Sequence, residues 1–381
     1  MARLGIVAVA QTYHSQALSE TVRGLVYQVS KEALTQADLP LERLDTIVTC
    51  SSDYWQGMGC SNVFYYEAAA SYLKDSPKTE GDSAIAFTYA CLRILSGIHR
   101  TALVVAVTKG SEAPPIATLT NLACDPFYLR PLGLEETTAA ALQARLSLER
   151  YGVGPEHLAQ VARRNLRNAL YNPYAHRRGD YSEAEVMASP LLADPLRALH
   201  CAPSSDGACA ILLADEETAR QLHPNPVWVL GFGWAAEGYG LGERDLLATS
   251  ALSQAAGEAY ARAGIQDPRR ELDVVELVAP YAHQEPLWYE GLGLCPPGEG
   301  WRLSQDGVIE MEGPLPVNPS GGVLASNPYM ARGLMRVAEA TLQLWGRASS
   351  HQVKGSPRKA LAHSTYGLAG QVHAVIVLGK E

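Results

Sequence analysis

Three groups of residues in this 381-residue sequence have types and spacing that chemistry can use, and each also has a plainer reading. Gly231-Phe232-Gly233 follows an apolar run, as the opening of a dinucleotide-binding turn does. The third glycine of that fingerprint would fall at position 236, which is Ala236, and no acidic residue closes the unit, so a tight turn is expected. Ser204-Ser205-Asp206-Gly207 invites comparison with a nucleophile elbow, but the G-x-S-x-G pattern is missing. A turn into a strand over 208–213 is the expectation there. Arg163, Arg164 and Arg167 share a helical stretch with Asn165 and Asn168, which fits a solvated face; the alternative is an anion site for a phosphorylated ligand. Seven cysteines, an odd number without a C-x-x-C pair, indicate neither a disulfide framework nor a zinc site. A reduced, cytoplasmic protein without a bound metal is expected.

The elements that must position such residues follow from apolar patterning. Short runs rich in Val and Ile, bounded by Gly, Asp or Pro, occur at 5–10, 46–49, 102–107, 227–231, 274–278, 360–363 and 372–378, and read as buried strands. Helical patterns fall between them at 19–36, 83–96, 137–151, 155–171, 250–263 and 331–345. Strand and helix alternation predicts a layered α/β fold. The order also looks duplicated: residues 33–50 and 261–278 share the same grammar of helix end, Pro-containing turn and strand. We therefore expect two related halves, 1–215 and 216–381, the first carrying an inserted cap over about 113–202 that is rich in Tyr, Asn, His and Arg.

Composition narrows the function classes. With 47% apolar and 19% charged residues the chain can bury a substantial core, which excludes a disordered or fibrous protein. No apolar run reaches the roughly 20 residues of a membrane span. The first residues have one positive charge and no cleavage-like stretch, so a buried strand is expected there rather than a signal peptide. A formal charge of -9 without a basic block disfavours nucleic acid, whose phosphates would have to be held against the mean field of the protein.

Four segments, in order, carry a resemblance to one family. Pro316-Val317-Asn318-Pro319-Ser320-Gly321-Gly322, then Ser326-Asn327-Pro328 and Gly333, resembles the N-x-x-G-G…G-H-P…G stretch of thiolases. Cys201-Ala202-Pro203-Ser204-Ser205-Asp206-Gly207-Ala208 resembles the turn that closes the thiolase cap. Glu290-Gly291-Leu292-Gly293-Leu294-Cys295-Pro296 is similar to a stretch of sterol-carrier-protein-type thiolases, and His363-Ser364-Thr365-Tyr366-Gly367-Leu368-Ala369-Gly370 to their C-terminal loop. The resemblance implies the thiolase fold: two duplicated βαβαβαββ halves in a five-layered α-β-α-β-α arrangement, a cap from the first half, and a dimer with paired central sheets. It implies an acyl-CoA ligand, with a coenzyme A thioester as substrate and no permanently bound cofactor, and carbon–carbon bond chemistry next to the thioester. Ser320, Gly321 and Gly322 are the coenzyme-A-binding positions it implies.

The catalytic positions of that family are altered here. A thiolase needs a cysteine at a buried helix N-terminus, where the dipole and a histidine lower its pKa. Counting back from Ser96-Gly97, the place is Glu80-Gly81-Asp82-Ser83, with no thiol, and Cys91 lies about two turns further on and reads as a packed core thiol. The oxyanion histidine aligns with Asn327, and its partner donor with Val278. His363 survives in the C-terminal loop as a proton-shuttle candidate, with Tyr366 and His373 as neighbours that could equally face the pocket, while Tyr281 and Tyr329 are new polar groups beside the altered motifs.

Three losses at three motifs point away from ordinary Claisen chemistry. The first expectation is an acyl-CoA enzyme of retro-aldol type, similar to the cysteine-free aldolases of steroid side-chain breakdown, with Tyr329 or His363 as base, Asn327 as enolate donor and Tyr281 as a further candidate. A non-catalytic subunit of a heteromeric acyl-CoA complex is the second, and an acetyl-CoA acetyltransferase-like enzyme with a displaced cysteine the third. The implied partners are a second copy or a thiolase paralogue, and a small zinc-ribbon/OB-fold protein that completes the acyl-CoA site.

Overall fold

The computed structural model describes residues 3–57 and 59–381. Its strands are β1 (Leu4–Gln11), β2 (Thr46–Cys50), β3 (Lys78–Thr79), β4 (Thr101–Lys109), β5 (Leu191–Ala193), β6 (Leu196–Arg197), β7 (Asp206–Asp215), β8 (Val227–Ala236), β9 (Val274–Leu277), β10 (Lys359–Tyr366) and β11 (Val372–Gly379). The helices that matter below are α1 (Val22–Gln36), α2 (Ser83–Leu95), α3 (Glu136–Tyr151), α4 (Glu156–Asn168), α5 (Ser250–Ala263), α6 (Gln284–Gly291) and α7 (Arg332–Trp345). Helix α1 starts at Val22 rather than at residue 19 because the Thr21 side chain accepts from the Gly24 N–H and caps it. Among the described residues no helix is long and apolar enough to cross a membrane.

Nine strands form one mixed sheet in the order β3-β2-β4-β7-β1-β8-β11-β10-β9. Two runs of that order repeat each other. In β2-β4-β7-β1 the first pair is parallel and the next two antiparallel, and β9-β10-β11-β8 follows the same rule. The runs meet at an antiparallel seam of three pairs, Leu4 to Ile6 against Val229 to Val227.

Strands β1, β4, β7 and β11 are buried on both faces, which is why their sequences read as continuous apolar runs rather than alternating ones. One core joins α2 and α7 to the inner faces of both runs, through Ile6, Val104 and Ile211 on one side and Ala362, Ala374 and Ile376 on the other. The outer face of the first run packs on α1, and that of the second on α5. Helix, sheet, paired helices, sheet and helix make the five layers.

Gly231-Phe232-Gly233 is not a turn. It lies inside β8, and a Cβ at Gly231 or Gly233 would sit 2.2 Å from the Ala259 carbonyl oxygen or 2.3 Å from that of Ala255. The two glycines let α5 pack against the strand at backbone distance. Between β4 and β7 the chain builds a cap from α3, α4 and the small β5–β6 hairpin. Asn168 and Asn172 donate to the carbonyls of Asn318 and Ser320 at 3.1 and 3.0 Å, and Arg177 to those of Cys201 and Leu324 at 2.6 and 2.8 Å. The bonds to Asn318, Ser320 and Leu324 fix the cap to the segment that carries Asn327 and Tyr329.

Candidate functional site

The site is built around the N-terminus of α2, where Asp82 is the capping residue and accepts from the Ala84 N–H at 2.7 Å. Its other oxygen accepts from the Ser364 hydroxyl at 2.7 Å. Burial pushes the Asp82 carboxyl above its ordinary range, against the pull of Ser364 and Arg332. So the positive helix end that would lower a thiol's pKa faces a buried carboxyl instead. Ser83 accepts from the Leu334 N–H at 2.8 Å, and Gly333 approaches so closely that a Cβ there would stand 2.4 Å from Asp82 Oδ1. The crossing of α2 and α7 is thereby fixed at the site.

Beside this helix end lies a cavity of about 260 Å³, with Trp55, Gly81, Glu136, Tyr329 and Tyr366 in its wall. Tyr366 covers Gly81, where a Cβ would meet its ring at 2.9 Å. Tyr329 packs on Trp55 with ring centroids 4.5 Å apart and covers the Arg332 guanidinium at 4.1 Å. Arg332, buried in the first turn of α7, donates to the Thr365 carbonyl at 2.8 Å and to Asn327 Oδ1 at 3.5 Å, and stands 3.9 Å from Glu136 Oε1. Tyr281 lies behind that wall, its hydroxyl 3.3 Å from Thr137 Oγ1. Burial first, and the Glu136 charge second, push both the Tyr281 and Tyr329 phenols far up. Neither is a phenolate near neutral pH.

The structure brings Tyr329 to the cavity and sets Tyr281 and Asn327 around the same Glu136–Arg332 pair. Asn327 is buried, with its N–H on Ser205 Oγ at 3.1 Å. His363 lies elsewhere. It shares a strand face with Leu361, whereas Ser364 on the other face reaches Asp82. His373 Nε2 meets the Gly370 carbonyl at 3.0 Å and so carries its proton; its Nδ1 then accepts from His363 Nε2 at 3.0 Å. Trp288 of α6 packs edge-on against both rings. Burial holds His363 well below its ordinary pKa and His373 at about 3.

Ser320, Gly321 and Gly322 are buried away from the cavity. Ser320 donates to Glu276 at 2.7 Å and accepts from Arg336 at 2.6 Å, and a Cβ at Gly321 would meet Ala169 Cβ at 2.6 Å. Cys91 sits in the core between the two runs of the sheet, its thiol pushed up by burial. The cysteine that does line the cavity is Cys124, whose thiol donates to the Thr120 and Leu134 carbonyls at 3.2 and 3.4 Å and is also raised by burial. Arg164 is not on a solvated face: it is buried against Glu285 and 3.2 Å from the Tyr289 hydroxyl, while Arg163 and Arg167 hold Tyr181 and Glu310. Among the described residues no cluster of His, Cys, Asp or Glu could hold a metal ion.

Glu136 and Arg332 were missed by sequence reasoning. A signal existed for Arg332, because a cation in the first turn opposes the helix dipole and so asks for a fixed partner. Glu136 had none, since a carboxylate at a helix start is ordinary capping chemistry.

Comparison with known proteins agrees with this architecture. A family profile described as Thiolase C-terminal domain-like matches residues 233–380. The chain is 30% identical over 387 residues to an acetyl-CoA acetyltransferase of Methanothermobacter thermautotrophicus, covering 97% of this chain and 98% of that one. It is 32% identical over 237 residues to the benzoylsuccinyl-CoA thiolase subunit BbsB of Thauera aromatica, covering 62% of this chain and 61% of the relative. Among solved structures, the Ltp2-ChsH2(DUF35) aldolase superposes with a TM-score of 0.85 at 22% identity, covering 99% of this chain and 97% of that one. Full-length similarity to an acetyl-CoA acetyltransferase, on a sheet that repeats its own strand order around two central helices, makes the chain a member of the thiolase superfamily.

Proposed function

We propose that this thiolase-family protein cleaves a β-hydroxyacyl-CoA by retro-aldol chemistry, without a covalent acyl intermediate. The observation that carries the reading is the end of α2, where a capped and buried Asp82 stands in place of a thiol. Cys124 on the cavity wall, Cys91 further along α2 and Cys50 beside Asp82 are all raised by burial rather than activated. Tyr329 on the cavity wall is our candidate acceptor of the β-hydroxyl proton, passing its own phenolic proton on as it does so. The carbon–carbon bond then breaks, leaving a carbonyl compound and a thioester enolate, which picks up a proton at the α-carbon to give a shorter acyl-CoA. Asn327, whose Oδ1 accepts from Arg332, is the enolate donor through its amide N–H. Of the two candidate bases, the geometry favours Tyr329; His363, on the other strand face, orders the C-terminal loop through His373 and Gly370.

The aldolase neighbour, which carries two component names, and the BbsB relative, which is called a subunit, support a heteromer with a second protein, a small zinc-ribbon/OB-fold partner in our reading, over a homodimer. The repeated strand order supports division into halves at 1–215 and 216–381. Free cysteines throughout the described residues fit a cytoplasmic location.

The test is release of an aldehyde or ketone from β-hydroxyacyl-CoA, with mass spectrometry of the protein in parallel. Tyr329→Phe is expected to lower kcat/KM about 100-fold, in the range of acid–base catalysis, with thioester binding by calorimetry unchanged. Full turnover by that variant would remove Tyr329 from the mechanism. An acyl adduct on Cys124 or Cys91 would restore ordinary thiolase chemistry, and thioester binding without turnover would favour the non-catalytic subunit.

A further inference from the structure

We propose that Glu136 is the terminal proton acceptor of this site, drawing a substrate hydroxyl proton through the Tyr329 phenol. The inference rests on the retro-aldol reading and deepens it, because it names the group that makes a neutral tyrosine able to act as base.

Geometry comes first. Glu136 is 5% exposed, yet it lines the cavity on the same wall as Tyr329. Its Oε2 is buried with no partner at hydrogen-bond distance, its Oε1 stands 3.9 Å from Arg332, and the Tyr329 phenol lies close enough to pull the carboxyl down while being raised by it. A buried carboxylate normally fills its acceptor sites. This one keeps an oxygen free beside the cavity. Its position is fixed from the backbone side, since the Glu136 N–H donates to Thr120 Oγ1 at 3.1 Å and Glu136 is the first residue of α3. The charged or titratable groups around it are Glu135 on its own helix turn, Arg332 on α7, Tyr329 ahead of α7, and Tyr281 beyond β9.

The electrostatics agree. Burial raises the Glu136 carboxyl above its ordinary value, and although Arg332 and then Tyr329 pull it back, the net shift stays upward, in the direction a general base needs. A raised phenol cannot hold the negative charge itself, but it can pass a proton on. In the step, the substrate O–H bond breaks as its proton goes to the Tyr329 oxygen, and the Tyr329 proton goes to Glu136. The electron pair of the carbon–carbon bond moves into the thioester enolate as the new carbonyl forms. Protonation of the enolate α-carbon and loss of the proton from Glu136 complete the cycle, with no other reactant consumed.

The experiment compares wild type, Glu136→Gln and Glu136→Asp in β-hydroxyacyl-CoA cleavage from about pH 4.5 to about 9, a span that covers a raised carboxyl and stays below the phenols. The wild-type kcat/KM is expected to rise with pH through an acid limb above the ordinary carboxylate range. Glu136→Gln should lower kcat at least tenfold with KM nearly unchanged and lose that limb. Glu136→Asp, which keeps the base but withdraws it by one methylene, should keep the limb at reduced kcat, and it serves as the test if the amide variant does not fold. Active wild type with an unchanged limb in Glu136→Gln would overturn the Glu136 assignment and leave the retro-aldol reading intact. A folded wild type that binds thioester and cleaves no β-hydroxyacyl-CoA would overturn both.

Discussion

Replacing Arg336 by alanine is expected to lower folding stability by about 3–5 kcal/mol, the range for breaking one side of a buried ion pair. Arg336 is 2% exposed on the inner helix α7, and its guanidinium meets the fully buried Glu276 and the Ser320 hydroxyl. Ser320 in turn places both its N–H and its hydroxyl on Glu276, at 3.0 and 2.7 Å. Without the guanidinium, Glu276 would be left in an interior whose burial already pushes its carboxyl up, with the Glu339 charge adding to that push. Total stabilities of single domains run to about 5–15 kcal/mol, so this loss is a large share. Urea unfolding followed by tryptophan fluorescence is the measurement. Glu276→Gln in the Arg336→Ala background should recover part of the loss, because it removes the stranded charge; a single-variant effect below about 1 kcal/mol would mean that water reaches the pair.

Acid should destabilise the protein well before its carboxylates titrate. His14, His283 and His373 are buried, and each is held at about 3 by desolvation. In the unfolded chain each takes a proton near pH 6.5, while the fold refuses it until about pH 3. The stability that comes from keeping them neutral is present above the unfolded value and declines as pH falls below it. Each group costs up to about 1.4 kcal/mol per pH unit in that window. Three together reach about 4 kcal/mol per unit. Asp82, Glu136 and Glu276, raised in the fold, act in the opposite sense, and so does His351, which Glu339 raises. The urea midpoint is therefore expected to fall from pH 7 to 5, and His373→Gln, whose amide can still accept from His363 and donate to Gly370, should flatten the slope by about 1.4 kcal/mol per unit. An unchanged slope in that variant would show that His373 is already protonated in the fold.

The strands were legible because runs such as Val104-Val105-Ala106-Val107 have one physical use, a position covered on both faces. The same property hid the orientation of His363. When both faces are apolar, a two-residue period does not say which one looks toward the helix end, and only the contacts of Ser364 with Asp82 and of His363 with Trp288 decide it. Gly231 and Gly233 were misread because a glycine in a strand looks like a break until the α5 backbone comes against it. The short cap helices Ile116–Leu122 and Glu183–Ala188 left no clear periodicity, being too short to show two turns of an apolar stripe. At the site, Tyr329 was legible through its place beside an altered motif. Glu136 was not, since what distinguishes it is an unused oxygen in a dry place.

Strand β1 lies between β7 and β8, in the middle of the nine-stranded sheet. Nearly 200 residues separate the end of β1 at Gln11 from the start of β7 at Asp206, and β8 comes later still. On a ribosome adding about 5–20 residues per second, β1 therefore waits roughly 10–40 s for its first neighbour. Through that interval an apolar strand stands with both edges open, a condition that favours pairing with the wrong chain. Non-local pairing of this kind also slows folding in the test tube. The same central strand that joins the two runs of the finished sheet thus makes the nascent chain a natural client for chaperones that shield apolar segments during synthesis.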